Sequence, residues 1–172
     1  MSEAVRIVEK KRIPSGAIML QGLPDVGLVG LIATSYIISE LDLEEIAYVD
    51  SDLLPPIVVL HQGLPHAPLR IYGNSDLIAA ISEVAVPTKA LHPIMRKLVD
   101  WAESKGVRMM MSIGGLPVEN RQDVKEPKVF GAGSSEASLE LLREKGLEIL
   151  KEGFIVGPQA LIMRYCTERK LT

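Results

Sequence analysis

The chain has 172 residues, of which 47% are hydrophobic and 24% are charged, and its formal net charge is −3 at pH 7. These values exclude a disordered chain and are typical of one soluble domain with a large core. No basic cluster is present, so we expect no nucleic-acid partner. No apolar segment reaches the ~20 residues needed to cross a bilayer, so we expect no membrane insertion. The single cysteine, Cys166, excludes a disulfide framework and predicts a cytoplasmic location.

The first part of the chain predicts two strands and an apolar helix. Residues 5–13 alternate weakly between apolar and polar side chains and predict an edge strand. Residues 17–21 form a continuous apolar run, which is typical of a strand covered on both faces. Asp25 is a suitable N-cap for a helix that we expect over residues 26–41.

That helix carries almost no charge, so we expect it to be apolar on nearly every side and covered by the rest of the chain. Gly27, Gly30 and Thr34 are three and four residues apart and therefore share one helix face. Two glycines inside a helix cost about 1 kcal/mol each relative to alanine. Close packing of another backbone against this face would offset that cost, so we predict a structural role for both glycines.

The rest of the chain alternates short apolar runs with amphipathic segments. We expect strands at residues 45–49, 57–61, 69–72, 76–84, 107–113, 128–130 and 154–156, with 69–72 and 76–84 joined as a hairpin. We expect helices from about Pro93 to Gly106, from Ser134 or Ser135 to Lys145, and over residues 159–170. Residues 119–127 are polar and predict an exposed excursion. This order of elements predicts a single α/β domain over residues 1–172, with a mixed, mainly parallel sheet flanked by helices.

The tripeptide Gly-Leu-Pro follows an apolar run three times, at residues 22–24, 63–65 and 115–117. Glycine allows a tight exit from a strand, and proline prevents further pairing in the ladder. We expect these exits to line one edge of the sheet, where open α/β sheets usually bind ligands.

The first of these exits does not have the composition of a phosphate-binding loop. Gly22 and Gly27 have the glycine spacing of such a loop, but Leu28 and Val29 stand where it needs Lys and Ser or Thr. Packing is therefore the favoured interpretation of these glycines.

A second glycine-containing segment is a better candidate for anion or ligand binding. Gly131, Gly133, Ser134 and Ser135 run directly into a predicted helix start, whose free N–H groups favour negative charge. The same residues suit ordinary helix capping, and that alternative stays open.

Other polar side chains give weaker indications of chemistry. Asp50 and Asp52 have a spacing that suits a divalent cation, but no third carboxylate is close in the sequence, so a solvated surface role is favoured. The three histidines lack the helical spacing of a zinc pair. Cys166 has no recognisable activating neighbour and is expected to be buried. We therefore expect no catalytic residue, no cofactor and no metal.

Four segments in order carry a family resemblance. Residues 22–30 read Gly-Leu-Pro-Asp-Val-Gly-Leu-Val-Gly, and residues 113–117, 129–132 and 153–158 read Ile-Gly-Gly-Leu-Pro, Val-Phe-Gly-Ala and Gly-Phe-Ile-Val-Gly-Pro. Together they resemble the archaeal and bacterial relatives of the proteasome assembly chaperones, with Gly22, Leu23, Pro24, Asp25, Gly27 and Gly30 as the family-motif residues. The resemblance covers most of the chain. It implies a three-layer α/β core similar to nucleoside phosphorylases and peptidyl hydrolases, without catalysis.

The resemblance also implies a function, which is to bind proteasome α-subunits as a homo-oligomer and assist their assembly. Family members tied to proteasomes often continue with a strand, a helix and a hydrophobic-tyrosine-any tail that docks between α-subunits. This chain instead ends with Glu-Arg-Lys-Leu-Thr, and Tyr165 lies inside a predicted helix. We therefore expect either a truncated chain or a reduced family member without the docking tail.

Two functions remain open from the sequence. An assembly chaperone needs apolar surface, and we expect the last helix to supply it through Leu161, Ile162, Met163 and Tyr165. The alternative is a small-molecule binder or a phosphorylase- or hydrolase-like enzyme that uses the strand-end edge and the loop at residues 131–135.

Overall fold

The computed structural model describes residues 4–117, 122 and 124–171, so residues 119–121 and 123 of the expected polar excursion lie outside the described residues. The strands are β1 (Arg6–Glu9), β2 (Ile18–Gly22), β3 (Glu44–Asp50), β4 (Val59–His61), β5 (Leu64–His66), β6 (Leu69–Gly73), β7 (Leu77–Ser82), β8 (Met109–Ser112), β9 (Phe130–Gly131) and β10 (Glu148–Ile149). The helices are α1 (Val29–Glu40), α2 (Thr88–Ser104), α3 (Glu136–Glu144) and α4 (Pro158–Arg169), and a 3-10 turn, Val26–Leu28, precedes α1.

Within the described residues, the main sheet has six strands in the order β1-β3-β6-β7-β2-β8. Strand β2 pairs in parallel with β7 and β8, whereas the β1–β3, β3–β6 and β6–β7 pairings are antiparallel. Strands β2, β3, β7 and β8 therefore run in one direction, and β1 and β6 run in the other. The mixed α/β sheet expected from the sequence is confirmed, as are the edge position of β1 and the β6–β7 hairpin. Three of the five pairings are antiparallel, so the expectation of a mainly parallel sheet is wrong in that detail.

The hydrophobic core lies between one face of this sheet and the helices α2 and α4. Helix α2 is amphipathic, and its buried residues include Met95, Leu98 and Trp101. These side chains belong to one buried cluster with Met19 of β2 and Tyr165 of α4. The expected apolar stripe of α2 is confirmed. Pro93, however, lies inside the helix and not in its first turn, because the helix begins five residues earlier, at Thr88.

The opposite face of the sheet is covered by α1. Alternate residues of a strand point to opposite faces, so Gly22 points away from the face that carries Met19. A Cβ atom added to Gly22 would lie closer than 3.0 Å to the side chain of Thr34, which places α1 on this second face. Helix α1 packs against β2 and β7. The molecule thus has three layers, with α2 and α4 on one side of the sheet and α1 on the other.

Among the described residues, two small two-stranded sheets lie outside the main one. This part of the fold corrects two of the strands expected from the sequence. Among the described strands, β4 pairs only with β5, in a hairpin. His61 in β4 is exposed, so the expectation of a buried strand at residues 57–61 is wrong. Strand β9 pairs in parallel with β10. Residues 154–156 form no strand. They lie between Gly153 and Gly157, whose positive φ angles of 152° and 75° turn the chain on both sides.

Candidate interaction surface

The glycines of the first Gly-Leu-Pro segment bring α1 close to two strands. Gly22 contacts the side chain of Thr34, as described above. A Cβ atom on Gly30 would lie closer than 3.0 Å to the carbonyl oxygen of Ile113 and 3.3 Å from its carbonyl carbon. Gly27 differs from both, because it precedes α1 with a φ of 81° and nothing crowds its Cβ position. Gly30 and Thr34 therefore face the sheet as expected. Gly27 forms the turn into the helix, so the expectation that it shares their helix face is wrong, because α1 begins only at Val29.

Asp25 does not cap a helix through its side chain, contrary to the expectation. Its Oδ2 atom instead accepts a hydrogen bond of 2.9 Å from the backbone N–H of Gly115. The carboxylate can reach across because β2 and β8 are neighbours that end at the same edge of the sheet. Two of the three Gly-Leu-Pro exits therefore meet as expected. The third does not, because Gly63 lies in the turn between β4 and β5.

Helix α1 is largely exposed, so the expectation that it is covered on nearly every side is wrong. Its buried residues are Gly30 and Thr34. Ile32 and Tyr36 are each 64% exposed, and Val26, Leu28 and Val29 just before them are also exposed. Among the described elements, α1 makes its main contacts with β2, β7 and the preceding 3-10 turn, so the sheet covers one side of this helix.

Leu28 is held in a strained backbone conformation on this surface. Its φ and ψ angles are 56° and 20°, in the left-handed region, which costs about 1–2 kcal/mol for a residue with a Cβ. The residue is nevertheless 45% exposed, so a large part of its apolar surface faces solvent. Strain of this kind is characteristic of binding and switch regions.

The β4–β5 hairpin lies on the same side of the sheet as α1. Four residues lie opposite one another across neighbouring strands and so share one face of the sheet: Glu45, Tyr72, Ala79 and Leu20. Leu20 is two residues before Gly22 in β2 and points to the same face, which is the face that α1 covers. His66 of β5 is held there, since its Nδ1 lies 3.0 Å from Oε2 of Glu45.

Exposed apolar residues also occur in the hairpin and just before it. They are Ile57, Val58, Leu60 and Leu64. We use the term α1 side for these four residues together with Val26, Leu28, Val29, Ile32 and Tyr36.

Glu45 ties the hairpin to the sheet electrostatically. Burial raises the pKa of Glu45, but hydrogen bonds from Lys10 and His66 outweigh burial and hold the pKa below its usual value. The carboxylate is therefore ionised at neutral pH and accepts from both partners.

The last helix does not provide the apolar surface that the sequence suggested. Ile162 is 5% exposed and Tyr165 is fully buried, because α4 packs against α2 and β8. The Tyr165 hydroxyl shares a hydrogen bond of 2.9 Å with Nδ1 of His92. Tyr165 is therefore part of the core. Cys166 is buried as expected, and burial raises the pKa of its thiol to about 11 despite the opposing charge of Arg169.

The loop at residues 131–135 makes internal contacts. The Ser135 hydroxyl accepts a hydrogen bond of 3.2 Å from the N–H of Ser138 and caps α3. The Ser134 hydroxyl donates to the carbonyl oxygen of Leu171 at 3.1 Å. A Cβ atom on Gly131 would touch Leu142 of α3. The capping interpretation is confirmed for Ser135, and anion binding by this loop stays a prediction.

The described ranges contain no group of three or more His, Cys, Asp or Glu side chains arranged to hold a metal ion. Asp50 forms an ion pair with Arg6, and Asp52 is exposed. No described helix is both long and apolar enough to cross a membrane. The exposed apolar residues described above are therefore one feature of the described residues that suits a partner.

Comparison with known proteins identifies the family. The PAC2 family model matches residues 19–172. The chain belongs to the PAC2 family. Uncharacterized protein MJ0106 of Methanocaldococcus jannaschii is 28% identical over 167 residues, which cover 96% of this chain and 68% of that protein.

Solved structures of PAC2-like proteins have the same fold. Pyrococcus furiosus PbaA, described as an archaeal homolog of proteasome-assembly chaperone, is 32% identical with a TM-score of 0.87, covering 96% of this chain and 68% of PbaA. Pyrococcus furiosus PbaB, described as an archaeal proteasome activator, is 23% identical with a TM-score of 0.82, covering 98% of this chain and 77% of PbaB. The family and the three-layer fold expected from the sequence are both confirmed.

Proposed function

We propose that this PAC2 chain is a non-enzymatic, chaperone-like protein that binds proteasome α-subunits and assists their assembly. We further propose that it acts in the cytoplasm as a homo-oligomer and needs no cofactor. The observation that carries the proposal is the similarity to PbaA, which is 32% identical over nearly the whole of this chain.

The exposed apolar residues support this proposal, since a chaperone acts by binding other chains. One group is the α1 side. A second group lies in the last third of the chain and consists of Val129, Phe130, Phe154 and Val156. Phe154 is 93% exposed. Large exposed apolar patches usually mark protein interaction sites.

Co-purification with proteasome α-subunits from the same organism tests the proposal. The affinity-tagged chain should retain α-subunits when both proteins are present at micromolar concentration, and it should change the rate or yield of α-ring formation on native gels. Absence of both effects would contradict the proposal.

A pair of variants tests whether apolar surface outside the α1 side binds the α-subunits. Phe154→Glu should weaken co-purification, because it places a charge on the second apolar group. Lys151→Glu is the matched control, since it changes charge at a nearby exposed residue without removing apolar surface. Equal retention of α-subunits by both variants would show that Phe154 takes no part in binding.

A further inference from the structure

We infer that the outer edge of β8 binds an extended segment of a partner protein, which adds to the main sheet as a further strand. This inference deepens the proposed function, because it names a surface and a mode of binding for a segment of an α-subunit. It rests on that function only for the identity of the partner. The mode of binding is argued from the backbone and the side chains of described residues.

Strand β8 lies at one end of the main sheet and pairs only with β2 among the described strands. The N–H of Ile18 in β2 donates to the carbonyl oxygen of Asp76, on the β7 side, at 2.9 Å. Neighbouring residues of a strand direct their backbone N–H and C=O groups to opposite sides. Met19 and Gln21 therefore direct theirs to β8.

The residues of β8 that lie opposite these two are Met110 and Ser112. In a parallel ladder, a residue bonds to the two residues that flank the one opposite to it. Met111 therefore bonds to β2, whereas Met110 and Ser112 direct their N–H and C=O groups away from it. Those four groups have no backbone partner in the part of the chain that the structure describes. A further strand is the partner whose backbone would satisfy all four.

The side chains of β8 leave this edge open to pairing. Natural sheets protect an edge strand with charged side chains or proline. Strand β1, at the other end of the sheet, has the exposed charges Arg6 and Glu9 and is followed by Lys10 and Lys11. Residues 109–117, in contrast, contain no charged side chain. Strand β1 is therefore protected against strand addition, and β8 is not.

Apolar side chains flank this edge on the face that α1 covers. Met111 lies opposite Leu20 on that face and is 45% exposed. A Cβ atom on Gly115 would lie 3.2 Å from Cγ2 of Val29, so the start of α1 adjoins the chain that follows β8. Val29 is 43% exposed and Leu116 is 44% exposed. The side chains of an added strand alternate between its two faces, so the segment that fits has apolar side chains at every second position.

The methionines of β8 favour a partner of variable sequence. Residues 109–111 are all methionine. Methionine is unbranched and flexible, and it is common on surfaces that bind several partners. The backbone bonds of an added strand also require no particular side chain. The β8 edge therefore suits strand-forming segments of a subunit that is not yet assembled.

Amide hydrogen exchange, measured by NMR on the wild-type full chain, tests the open edge. The N–H of Met111 should exchange at least about tenfold more slowly than those of Met110 and Ser112, because only Met111 bonds to β2. A peptide of alternating valine and threonine, with a lysine at each end, serves as the partner segment. At millimolar concentration it should slow exchange at Met110 and Ser112 by about tenfold or more. The same peptide with two prolines at its centre is the matched control and should have no effect.

A pair of variants tests the backbone contact. Met110→Pro removes an outward N–H and no bond of the β2–β8 ladder, and proline is tolerated on an edge strand at such a position. Met110→Val removes the same side chain but keeps the N–H. The peptide should bind Met110→Pro about tenfold more weakly than Met110→Val, since one hydrogen bond is lost. If circular dichroism shows that Met110→Pro does not fold, hydrogen exchange of the wild type decides.

Four outcomes would overturn the inference. Protection of Met110 and Ser112 in the free protein at every concentration would mean that this chain covers the edge itself. Protection that grows with protein concentration would mean that a second copy covers it. The other two are equal effects of the two peptides and equal peptide affinities of two folded variants. Co-purification with α-subunits is measured on the same samples. A chain that binds the peptide at β8 and retains no α-subunits would contradict the proposed function and leave the strand-binding edge intact.

Discussion

Replacing Gly30 with alanine tests how closely α1 approaches β8. Gly30 lies on the buried side of α1, and the added Cβ atom would lie closer than 3.0 Å to the carbonyl oxygen of Ile113. Both sides of this contact are backbone, so no side chain can rotate to relieve the overlap. The helix or the end of β8 would have to move.

Two opposing effects set the size of the loss. Alanine is favoured over glycine inside a helix by about 1 kcal/mol. Overpacking a tight core typically costs about 1–3 kcal/mol and occasionally more. The clash is with a carbonyl group and not with a flexible side chain. We therefore expect the overpacking cost to be about 3 kcal/mol or slightly more. The net loss in free energy of unfolding should be about 2 kcal/mol, or roughly 4–8 °C in Tm for a chain of this length.

The assay is thermal unfolding at one fixed protein concentration, since self-association would make Tm depend on concentration. Ser35→Ala is the matched control, because it is an alanine substitution on the exposed side of the same helix. It should leave stability unchanged or raise it by up to about 0.5 kcal/mol. If Gly30→Ala is as stable as Ser35→Ala, the close approach of α1 to Ile113 is wrong.

Three further predictions concern a thiol, a carboxylate and a strained turn. Cys166 is buried, and the pKa of its thiol is raised to about 11. It should therefore not react with iodoacetamide in the native protein at pH 8, whereas it should react fully in guanidinium chloride. Rapid labelling of the native protein would contradict the burial of Cys166. Because the folded pKa of Glu45 is lowered, its contribution is present above the unfolded value and is lost as pH falls through the folded value. Urea unfolding should therefore show a larger loss of stability below about pH 4.5 in the wild type than in Glu45→Gln, and equal losses would contradict the bonds from Lys10 and His66. Leu28→Gly should be more stable than Leu28→Ala by about 1 kcal/mol, because glycine relieves the left-handed strain that alanine keeps; the reverse order would show that Leu28 is unstrained.

Elements that face the core of one chain were predictable from the sequence. The apolar spacing of α2 identified Met95, Leu98 and Trp101 as core residues because a helix with one apolar stripe has a single way to bury it. The run before Gly22 indicated a strand covered on both faces for a similar reason. In both cases local periodicity and burial within the chain agree.

Elements that depend on distant partners were not predictable. The last helix looked exposed because no strand follows it in the sequence, yet Tyr165 is buried by α2, which is far away along the chain. Residues 57–61 have the composition of a buried strand, yet they pair only with the next few residues. Neither composition nor spacing specifies which distant element covers a segment, because the covering surface is set by the tertiary fold.

The error about α1 has a different cause. Its sequence has the composition of a buried helix, and within one chain the structure buries only the Gly30 and Thr34 side. Selection acts on the burial of a residue in the working protein. An apolar sequence pattern therefore reflects burial in the working protein and not only burial by the described elements. Where such a pattern and the described fold disagree over a whole helix face, the sequence indicates cover that the described residues do not supply. The left-handed backbone at Leu28 lies on this same exposed side of α1, and strain of this kind is characteristic of binding and switch regions.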